Sequence, residues 1–515
     1  MKRNMSRRAL LKAGGLGVGG LLLPGSLLAA GEMPSGTAPR ARRGGVLRAA
    51  FAGRAGTPMN VLQATRSPLD YVRARLVWDA LADTDDGHID YRLMTSAVSD
   101  RAATRWRLTI RRGVTFSDGR PLTARDVLYS LHVLASNPCT QSGWLDPLDT
   151  AASRIDDDYT LTLALKQPIG AFDWRLAQGM FVFPAGTRDL DHALGTGAWT
   201  LTSSSDSVNT FSPRSDYWDS ERGPLLDRIQ LYGIMDMNAR VNGLKAGQFD
   251  YVGGVALTSG LTEQHNPNVK VVTAPPALWD SLMFSMNLSK PPFDSPDVCE
   301  ALKLSIDREA MVRTLSFGKG DVANDTLGQG QPWHNSTLPQ RHYDPERAQA
   351  LLKKAGVSPH LSILTSNYAW GLAESATLLL RQAKPAGFTL SLNKLPAADY
   401  YSDLNALFDA PLKTNYFHPM PLPVALPFYY GRRAPYPFTG PSSPKLNALI
   451  QTLQAAQGEA LVTAVHDVQE ELYFHGGDAI FMRIPSIALS SPRVNGVEAA
   501  GYFDYPTLRS AWLAD

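Results

Sequence analysis

The chain has 515 residues, of which 44% are hydrophobic and 19% are charged, and its 50 basic residues nearly balance 48 acidic ones. This length exceeds a single ordinary hydrophobic core and predicts two or three lobes. Because charges of both signs are scattered along the chain, nucleic acid and anionic membranes are excluded as partners. Two cysteines, Cys139 and Cys299, are too few for a disulfide scaffold.

The N-terminal residues 1–30 have the pattern of a cleaved export signal. The first eight residues are basic and polar, and the run 9–30 is apolar except for Lys12 and ends in small residues. A membrane-spanning helix is the alternative, but Pro24 and six glycines interrupt the run. The segment Ser6–Lys12, with its paired arginines, resembles a twin-arginine signal, whose pathway exports folded proteins.

The same segment contains a formal match to the dinucleotide-binding pattern G-x-G-x-x-G, at Gly15, Gly17 and Gly20. In a nucleotide site these glycines follow a buried strand and lead into a helix whose N-terminus faces the pyrophosphate. The basic, polar stretch before Gly15 cannot form a buried strand. The glycines are therefore interpreted as part of the signal rather than as a cofactor site.

Removal of the signal changes the charge and the expected location. It takes away five basic residues and no acidic one, which leaves 45 against 48 and a net charge near −3. Neither cysteine lies at the end of the signal, so we expect no lipid anchor and a free protein in the periplasm of a Gram-negative cell. Cys139 and Cys299 are expected to stay unpaired, because a protein exported in the folded state cannot depend on a later disulfide. Residues 31–43 follow the signal as a linker.

Strands and helices interleave from the stretch 44–50, where the first strand begins. Alternating apolar residues predict half-buried strands at 105–111 and 160–165. Between them, Thr123 is expected to cap a helix, with Asp126 as the acidic partner in a capping box. This alternation predicts an α/β or α+β class rather than an all-α fold.

Three later stretches carry clear local signals. A helix is predicted over 299–315, and a second over 346–355, where Asp344-Pro345 provides the N-terminal cap and Gly356 the end. The stretch 411–444 is so rich in proline that no regular element is expected. Its aromatic residues favour an ordered loop that faces a ligand over a disordered segment.

Several segments, in their order along the chain, resemble the periplasmic solute-binding proteins of peptide and nickel ABC transporters, the extracellular solute-binding protein family 5. The most specific segment is Trp106–Val127, which is similar to the family signature nearly residue for residue. The others are Gly195–Trp199, Asp216–Trp218, Asp227–Ile229, Leu244–Asp250, Met283–Asn287 with Pro291–Asp294, Ile306–Arg308 and Tyr343–Leu352. The ordered set extends over roughly 44–515 and identifies the fold rather than the ligand.

This resemblance implies an α/β protein with the type II periplasmic-binding-protein (Venus-flytrap) fold. The family has two lobes with mixed sheets, joined by two hinge crossings, and encloses its ligand between them. By resemblance, lobe I comprises 44–275 and 486–515, and lobe II comprises 276–485. The crossings are expected near 274–276 and near 484–485.

The implied function is that of the substrate-binding component of an ABC importer. Such a protein captures a small-molecule or peptide ligand by lobe closure, because only the closed form lets both lobes touch the ligand. It then delivers the ligand to transmembrane permease subunits that cytoplasmic ATPases drive. No chemistry is required of the chain, so no catalytic residue and no cofactor are expected, and a monomer is expected.

Two features depart from the family pattern. Peptide binders hold the amino terminus of the ligand with an aspartate before a proline, whereas this chain has His418 and Met420 before the matching prolines. An ammonium group buried without a counter-charge is costly, which disfavours the ordinary peptide mode. Nickel-type members hold a chelate with arginines, but Gln141 replaces one of them and 180–183 lacks another. Peptides, modified amino acids and opines remain the expected solutes, with nickel or a metal chelate as the alternative.

The candidate ligand-binding residues are Met59, Trp144, Trp279, Asn415, Tyr416, His418 and Arg483. Trp144 either stacks on a ligand or packs in the core. His418 is either a chelate ligand or an ordinary loop residue; no second histidine lies at ligand spacing, and no resident metal is expected. Arg483, in an apolar strand, needs a partner, which is either a ligand carboxylate or a salt bridge between lobes.

A periplasmic enzyme exported by the twin-arginine pathway is the rival class. The sequence lacks H-E-x-x-H, C-x-x-C and G-x-S-x-G. Ser316–Lys319 matches S-x-x-K, but its partner motifs are absent and Gly318 is typical of a helix end. Asp156–Asp158 is interpreted as a turn between strands rather than a metal site. We therefore expect a binding protein and not an enzyme.

Overall fold

The computed structural model describes residues 41–85, 88–397, 399–432, 434–497 and 506–514. The predicted signal at 1–30 and most of the predicted linker lie outside these residues. In the part of the chain that is described, no helix is both long enough and apolar enough to cross a membrane.

The strands in chain order are β1 (Val46–Phe51), β2 (Ala82–Asp85), β3 (His88–Tyr91), β4 (Met94–Ser99), β5 (Arg105–Ile110), β6 (Leu148–Asp157), β7 (Thr160–Leu165), β8 (Trp199–Ser204), β9 (Val208–Pro213), β10 (Arg228–Gly233), β11 (Tyr251–Val255), β12 (Lys270–Thr273), β13 (Asp280–Met286), β14 (Asp321–Val322), β15 (His360–Ser366), β16 (Thr389–Leu395), β17 (Leu412–Phe417), β18 (Asp478–Ile484), β19 (Ile487–Ser490), β20 (Val494–Asn495) and β21 (Trp512–Leu513).

The helices are α1 (Pro68–Val77), α2 (Ala124–Ser136), α3 (Thr140–Leu145), α4 (Phe172–Leu176), α5 (Met237–Lys245), α6 (Leu257–Glu263), α7 (Pro296–Leu304), α8 (Arg308–Leu315), α9 (Pro345–Ala355), α10 (Leu372–Gln382), α11 (Leu404–Asp409), α12 (Leu422–Tyr430), α13 (Pro444–Ala455) and α14 (Glu459–His475). Short 3₁₀ turns lie at Val61–Gln63 and Pro276–Leu278.

Two large mixed sheets organise the molecule. The seven-stranded sheet has the order β12-β19-β11-β1-β10-β9-β8, and the six-stranded sheet has the order β14-β18-β13-β17-β15-β16. The first combines strands from 46–273 with β19, and the second uses only strands from 280–484. The chain passes between them just before β13 and again between β18 and β19. The exact bounds of the two predicted lobes remain a prediction.

A four-stranded antiparallel sheet, in the order β4-β5-β7-β6, completes the framework beside the candidate site. Its strands β5 and β7 confirm two predicted strands. Trp106 and Leu108 point into the core, while Arg105 and Arg107 are exposed, as the alternation in the sequence predicts. A turn does join β6 to β7, but it lies at 158–159, and Asp156 and Asp157 belong to β6. The backbone N–H of Tyr159 donates to the Asp157 carboxylate at 2.8 Å.

Helix ends follow the capping signals in the sequence. At the start of α2, the backbone N–H of Thr123 donates to the Asp126 carboxylate at 2.8 Å and completes the predicted capping box. Asp344 caps α9, and Gly356 ends it in the left-handed region at φ 69°. Glycine is favoured there because it has no Cβ. These side chains set where each helix begins and ends.

The expectation of one helix over 299–315 is wrong. The structure has α7 and α8 instead, separated at 305–307. Asp307 accepts a hydrogen bond from the N–H of Ala310 at 2.8 Å and begins a new helix. The side chain of an aspartate can bind a nearby backbone N–H, which favours the start of a new helix over the continuation of the previous one.

The expectation that 411–444 has no regular element is also wrong, because the stretch contains β17 and α12. Position matters more than the number of prolines. No proline falls within β17, and Pro423 lies in the first turn of α12, where no N–H is needed. Pro427 lies inside the helix, where burial of its neighbours offsets the lost hydrogen bond.

The two cysteines do not form a disulfide. Cys139 and Cys299 are both free, as predicted. Cys299 is buried, and burial raises the pKa of its thiol to about 12. A thiol held in that state is inert as a nucleophile at neutral pH.

Candidate ligand-binding site

A cleft of about 700 Å³ lies between α3–α4 and α12–α13 and is here called the Trp144 cleft. Its lining includes Trp144, Lys166, Arg175, Phe428, Arg432 and Asn447. One wall comes from the part of the chain predicted as lobe I, and the other from the part predicted as lobe II. A cleft with this volume and both apolar and polar walls suits a small organic solute.

An aromatic pair closes one side of the cleft. The ring of Trp144 stacks on that of Phe428, with centroids 4.3 Å apart and planes 25° apart. Trp144 is only 2% exposed. Of the two roles predicted for Trp144, the structure shows packing against an aromatic residue of the proline-rich stretch, at the edge of a cleft where a ligand could also contact it.

Arg175 is a functional candidate that sequence reasoning missed. It lies in the five-residue helix α4, is 9% exposed, and donates from Nη1 to the carbonyl oxygen of Trp144 at 3.4 Å. Burial lowers the pKa of its guanidinium to about 10, although the charge of Asp146 opposes that shift. A charged residue among Phe172, Trp174 and Leu176 was the available signal in the sequence.

Three of the predicted site residues lie around a second, much smaller cavity. Trp279, His418 and Arg483 line it together with Gln329 and other residues of the same predicted lobe. Its free volume of about 20 Å³ is enough for about one water molecule. This cavity, which we call the hinge cavity, lies beside the 3₁₀ turn that follows the first passage of the chain between the two sheets.

His418 is held by an acidic neighbour. Its Nδ1 lies 2.8 Å from a carboxylate oxygen of Asp280, and its ring makes an edge contact with Tyr416 at 5.1 Å between centroids. Burial disfavours the charged imidazole, but the nearby Asp280 carboxylate outweighs it and raises the pKa of His418. At mildly acidic pH this pair is an ion pair, and its charge is neutralised locally.

Arg483 is engaged mainly by backbone. Its guanidinium donates to the carbonyl oxygens of Gln329 and Pro276. The guanidinium carbon lies 5.8 Å from the ring centroid of Trp279. Among the described residues, no carboxylate forms an ion pair with Arg483, so the structure does not show the predicted salt bridge between lobes. Burial lowers the pKa of Arg483, although the charge of Asp321 favours the protonated form.

The remaining predicted residues fall in different places. Asn415 is buried on β17, where its Oδ1 accepts hydrogen bonds from the Tyr401 hydroxyl at 3.3 Å and the Tyr416 N–H at 2.9 Å. Its Nδ2 has no hydrogen-bond partner among the described residues. Met59 belongs to the hydrophobic cluster around β1 and α1, apart from the hinge cavity. The described residues contain no cluster of three His, Cys, Asp or Glu side chains suited to a metal ion.

Direct contacts join the two predicted lobes next to the Trp144 cleft. The N–H of Gly170 donates to the carbonyl oxygen of Gln454 at 2.6 Å. The Ser99 hydroxyl donates to the Gln457 amide oxygen at 2.9 Å. The rings of Trp174 and Trp333 meet edge to face at 4.8 Å. The structure therefore describes an arrangement in which these surfaces touch.

Comparison with known proteins decides the family. A family model described as "Bacterial extracellular solute-binding proteins, family 5 Middle" matches residues 89–423. The chain belongs to this family. The match includes the specific segment Trp106–Val127 together with α3 and α4 of the first wall, and it confirms the predicted resemblance.

Relatives agree with this assignment. The glutathione-binding protein GsiB of Salmonella choleraesuis strain SC-B67 is 30% identical over 269 residues, which are 50% of this chain and 51% of that protein. The chain thus spans about half the length of the curated relatives that it matches.

Two solved structures resemble the fold. The substrate-binding protein CtaP of Listeria monocytogenes has a TM-score of 0.80 at 19% identity, and the oligopeptide-binding protein AppA of Bacillus subtilis, in complex with a nonapeptide, has 0.75 at 17%. Each comparison covers 92% of this chain and 100% of the other. They confirm the predicted α/β, two-lobed periplasmic-binding-protein fold for this family 5 member.

Proposed function

We propose that this protein is the substrate-binding component of an ABC importer. It captures a small solute, such as a peptide, a modified amino acid or an opine, and delivers it to permease subunits that cytoplasmic ATPases drive. The observation that carries the proposal is the family 5 match over 89–423. The family consists of extracellular solute-binding proteins, and the relatives named above bind glutathione or peptides.

Capture works by a shift between open and closed forms. A ligand stabilises the closed form because only there do both lobes touch it. To move the equilibrium from about 1:99 to 99:1 takes roughly 5.5 kcal/mol of differential affinity. A micromolar ligand binds with about −8.2 kcal/mol, which is sufficient. The Trp144 cleft supports this mechanism, since its walls come from both predicted lobes.

The proposal also includes the export pathway of the protein and its oligomeric state. A twin-arginine signal at 1–30 would place the folded chain in the periplasm without a lipid anchor. The protein would act as a monomer, with no cofactor and no catalytic step. The relatives named above are solute-binding proteins rather than enzymes, which supports a non-catalytic role.

A metal chelate is the less supported alternative. His418, the predicted chelate ligand, is paired with Asp280 at 2.8 Å. Gln141, at the position of a family arginine, is 1% exposed, and its Nε2 donates to the carbonyl oxygen of Gly179 at 3.3 Å. Neither side chain is arranged to hold the carboxylates of a chelate.

A thermal-shift screen followed by calorimetry tests the proposal. The panel holds glutathione, trialanine, octopine, a sugar and nickel–histidine at one pH. A ligand at about 100 times its Kd stabilises the folded protein by about 2.7 kcal/mol, so a binding compound raises the Tm clearly. We expect at least one solute class to do so and to be recovered unchanged after incubation. Catalytic conversion of a panel compound, or no stabilisation by any of them, would contradict the proposal.

A further inference from the structure

Arg175 is buried without the partner that a buried arginine normally has. Its side chain is more than nine-tenths covered, yet the only hydrogen bond that the structure gives it runs to the backbone carbonyl oxygen of Trp144, at 3.4 Å. No carboxylate among the described residues forms an ion pair with it. A guanidinium has five N–H donors, and one long hydrogen bond leaves most of them unused. None of the Arg175 nitrogens is both fully buried and without a partner, so the unused donors remain accessible.

Other buried arginines in the chain show the contrast. Arg73 donates to the Asp70 carboxylate at 2.5 Å, and Arg308 donates to the Asp325 carboxylate at 2.6 Å. Both are about as buried as Arg175. Arg240 and Arg483, which also lack an ion pair among the described residues, each donate to two or more backbone carbonyl oxygens instead. Arg175 has neither a carboxylate nor a second carbonyl as a described partner.

Arg175 also lines the Trp144 cleft, where positive charge predominates. Lys166 and Arg432 line the same cleft, and Asp146 is the one acidic side chain among its lining residues that the structure describes. The Lys166 ammonium donates to the backbone carbonyl oxygen of Asp146 at 3.1 Å. An anionic group that enters the cleft would therefore gain from a net positive lining.

The opposite wall offers a group of complementary character. Asn447 lines the cleft, and its Nδ2 donates to the carbonyl oxygen of Ser442 at 3.1 Å. Its Oδ1 is buried and accepts no hydrogen bond from any described residue. A buried acceptor without a donor is costly, and a rotation of the side chain that turns Oδ1 toward the cleft would let a ligand N–H satisfy it.

We propose that the Trp144 cleft binds a solute that carries a carboxylate, and that Arg175 is the residue that holds this carboxylate. An N–H of the same solute donates to Asn447 on the other wall, and its apolar part lies against Phe428. This inference rests on the proposed function and adds the chemical class of the ligand. A carboxylate held by α4 and touched by α12–α13 favours closure, since the two elements belong to different predicted lobes.

The first test uses the wild-type protein alone and four probes. Glutathione and trialanine carry free carboxylates, whereas glutathione diethyl ester and trialanine amide do not and are otherwise nearly the same size. By calorimetry, we expect an acid that binds to do so at least tenfold more tightly than its neutral counterpart. Equal binding of acid and neutral forms would overturn the inference and leave the proposed function intact. Absence of binding by all four would count against both, and the wider panel above would then show whether the proposed function still stands.

The second test assigns the carboxylate to Arg175. Arg175→Gln is expected to weaken the binding of the acid at least tenfold and to leave the weak binding of the ester or amide unchanged. Arg175→Lys keeps the positive charge and should lose less affinity for the acid than Arg175→Gln does. Arg432→Gln, at a more exposed position in the same cleft, is the matched control and should change the affinity by less than threefold. If Arg432→Gln and Arg175→Gln weaken the binding of the acid equally, the cleft attracts anions only by its net charge, and Arg175 is not the residue that holds the carboxylate.

Discussion

Trp144 of α3 and Phe428 of α12 stack face to face at 4.3 Å, although 284 positions separate them in the sequence. The two rings come from different predicted lobes and meet at the edge of the Trp144 cleft. Their contact exists only when the two walls are close together. The pair therefore links the packing of the closed arrangement to the geometry of the cleft.

Replacement of Phe428 by alanine should weaken ligand binding. Stacked aromatic pairs contribute about 0.5–1.5 kcal/mol beyond the area that they bury. Since 1.4 kcal/mol is a factor of ten, loss of the pair should raise the Kd of a panel ligand by up to about tenfold. Calorimetry measures the change. Phe474→Ala, at a ring that is 52% exposed, is the control and should leave the Kd unaltered.

Gly170→Ala should block the closed arrangement. A Cβ at Gly170 would lie 1.8 Å from the carbonyl oxygen of Ala456, on the opposite predicted lobe. Overpacking of this kind costs about 1–3 kcal/mol. Because the clash exists only in the closed form, it destabilises that form alone, and the ligand should bind roughly five- to a hundredfold more weakly. Small-angle scattering with ligand should show a larger radius of gyration than for the wild type.

The matched control for that variant is Gly143→Ala. A Cβ on Gly143, in α3, meets nothing within 4 Å. It should keep the wild-type radius of gyration in the presence of ligand. If Gly170→Ala closes on ligand as the wild type does, the contact between Gly170 and Gln454 is not part of closure.

The sequence predicted several local elements in which a side chain acts on its own backbone, although the cap formed by Asp307 was missed. Thr123 with Asp126, and Asp344 with Gly356, mark helix ends through contacts only a few residues apart. Prediction failed over 411–444 because proline was judged by its density. The position of each proline within an element decides the outcome, and that position depends on tertiary burial.

The candidate site was predictable only in part. Trp144 was identified by resemblance, and Phe428 was among the aromatic residues of 411–444 that were expected to face a ligand. Their pairing was not predicted, since stacking across 284 positions leaves no local pattern. Arg175 was missed for a related reason. What distinguishes it from Arg73 is that no described carboxylate lies close enough to form an ion pair with it, and a single sequence does not contain that information.

The pair of His418 and Asp280 should make stability depend on pH. The pKa of His418 in the folded protein lies above its ordinary value of 6.5 because the Asp280 carboxylate outweighs burial. Its stabilisation is therefore fully present below about pH 6.5 and is lost as pH rises through the folded pKa. His418→Gln should lower the free energy of unfolding in urea more at about pH 6 than at about pH 9. A difference that is the same at both values would show that the pair is not charged in the folded protein.

Asp325→Asn should destabilise lobe II strongly. The Asp325 carboxylate is fully buried and accepts hydrogen bonds from Arg308 and Arg341, each at 2.6 Å. Asparagine tolerates the left-handed backbone at this residue, φ 59°, so the variant removes mainly the charge. A buried pair that loses one partner costs about 3–5 kcal/mol. Asp297→Asn, which removes the exposed pair with Lys354, should cost under about 1 kcal/mol in the same urea titration.

Arg175→Met should stabilise the ligand-free protein while it abolishes carboxylate binding. Burial lowers the pKa of Arg175 to about 10, and since each pKa unit corresponds to about 1.4 kcal/mol, the unpaired charge costs roughly 3 kcal/mol. Methionine of similar volume removes that cost, and the free energy of unfolding should rise by about 1–3 kcal/mol. Arg73→Met is the contrast, because it removes the buried partner of the Asp70 carboxylate and should lower the free energy of unfolding. Opposite signs for the two variants would identify Arg175 as a residue kept for a ligand, whereas a loss of stability in both would identify it as structural.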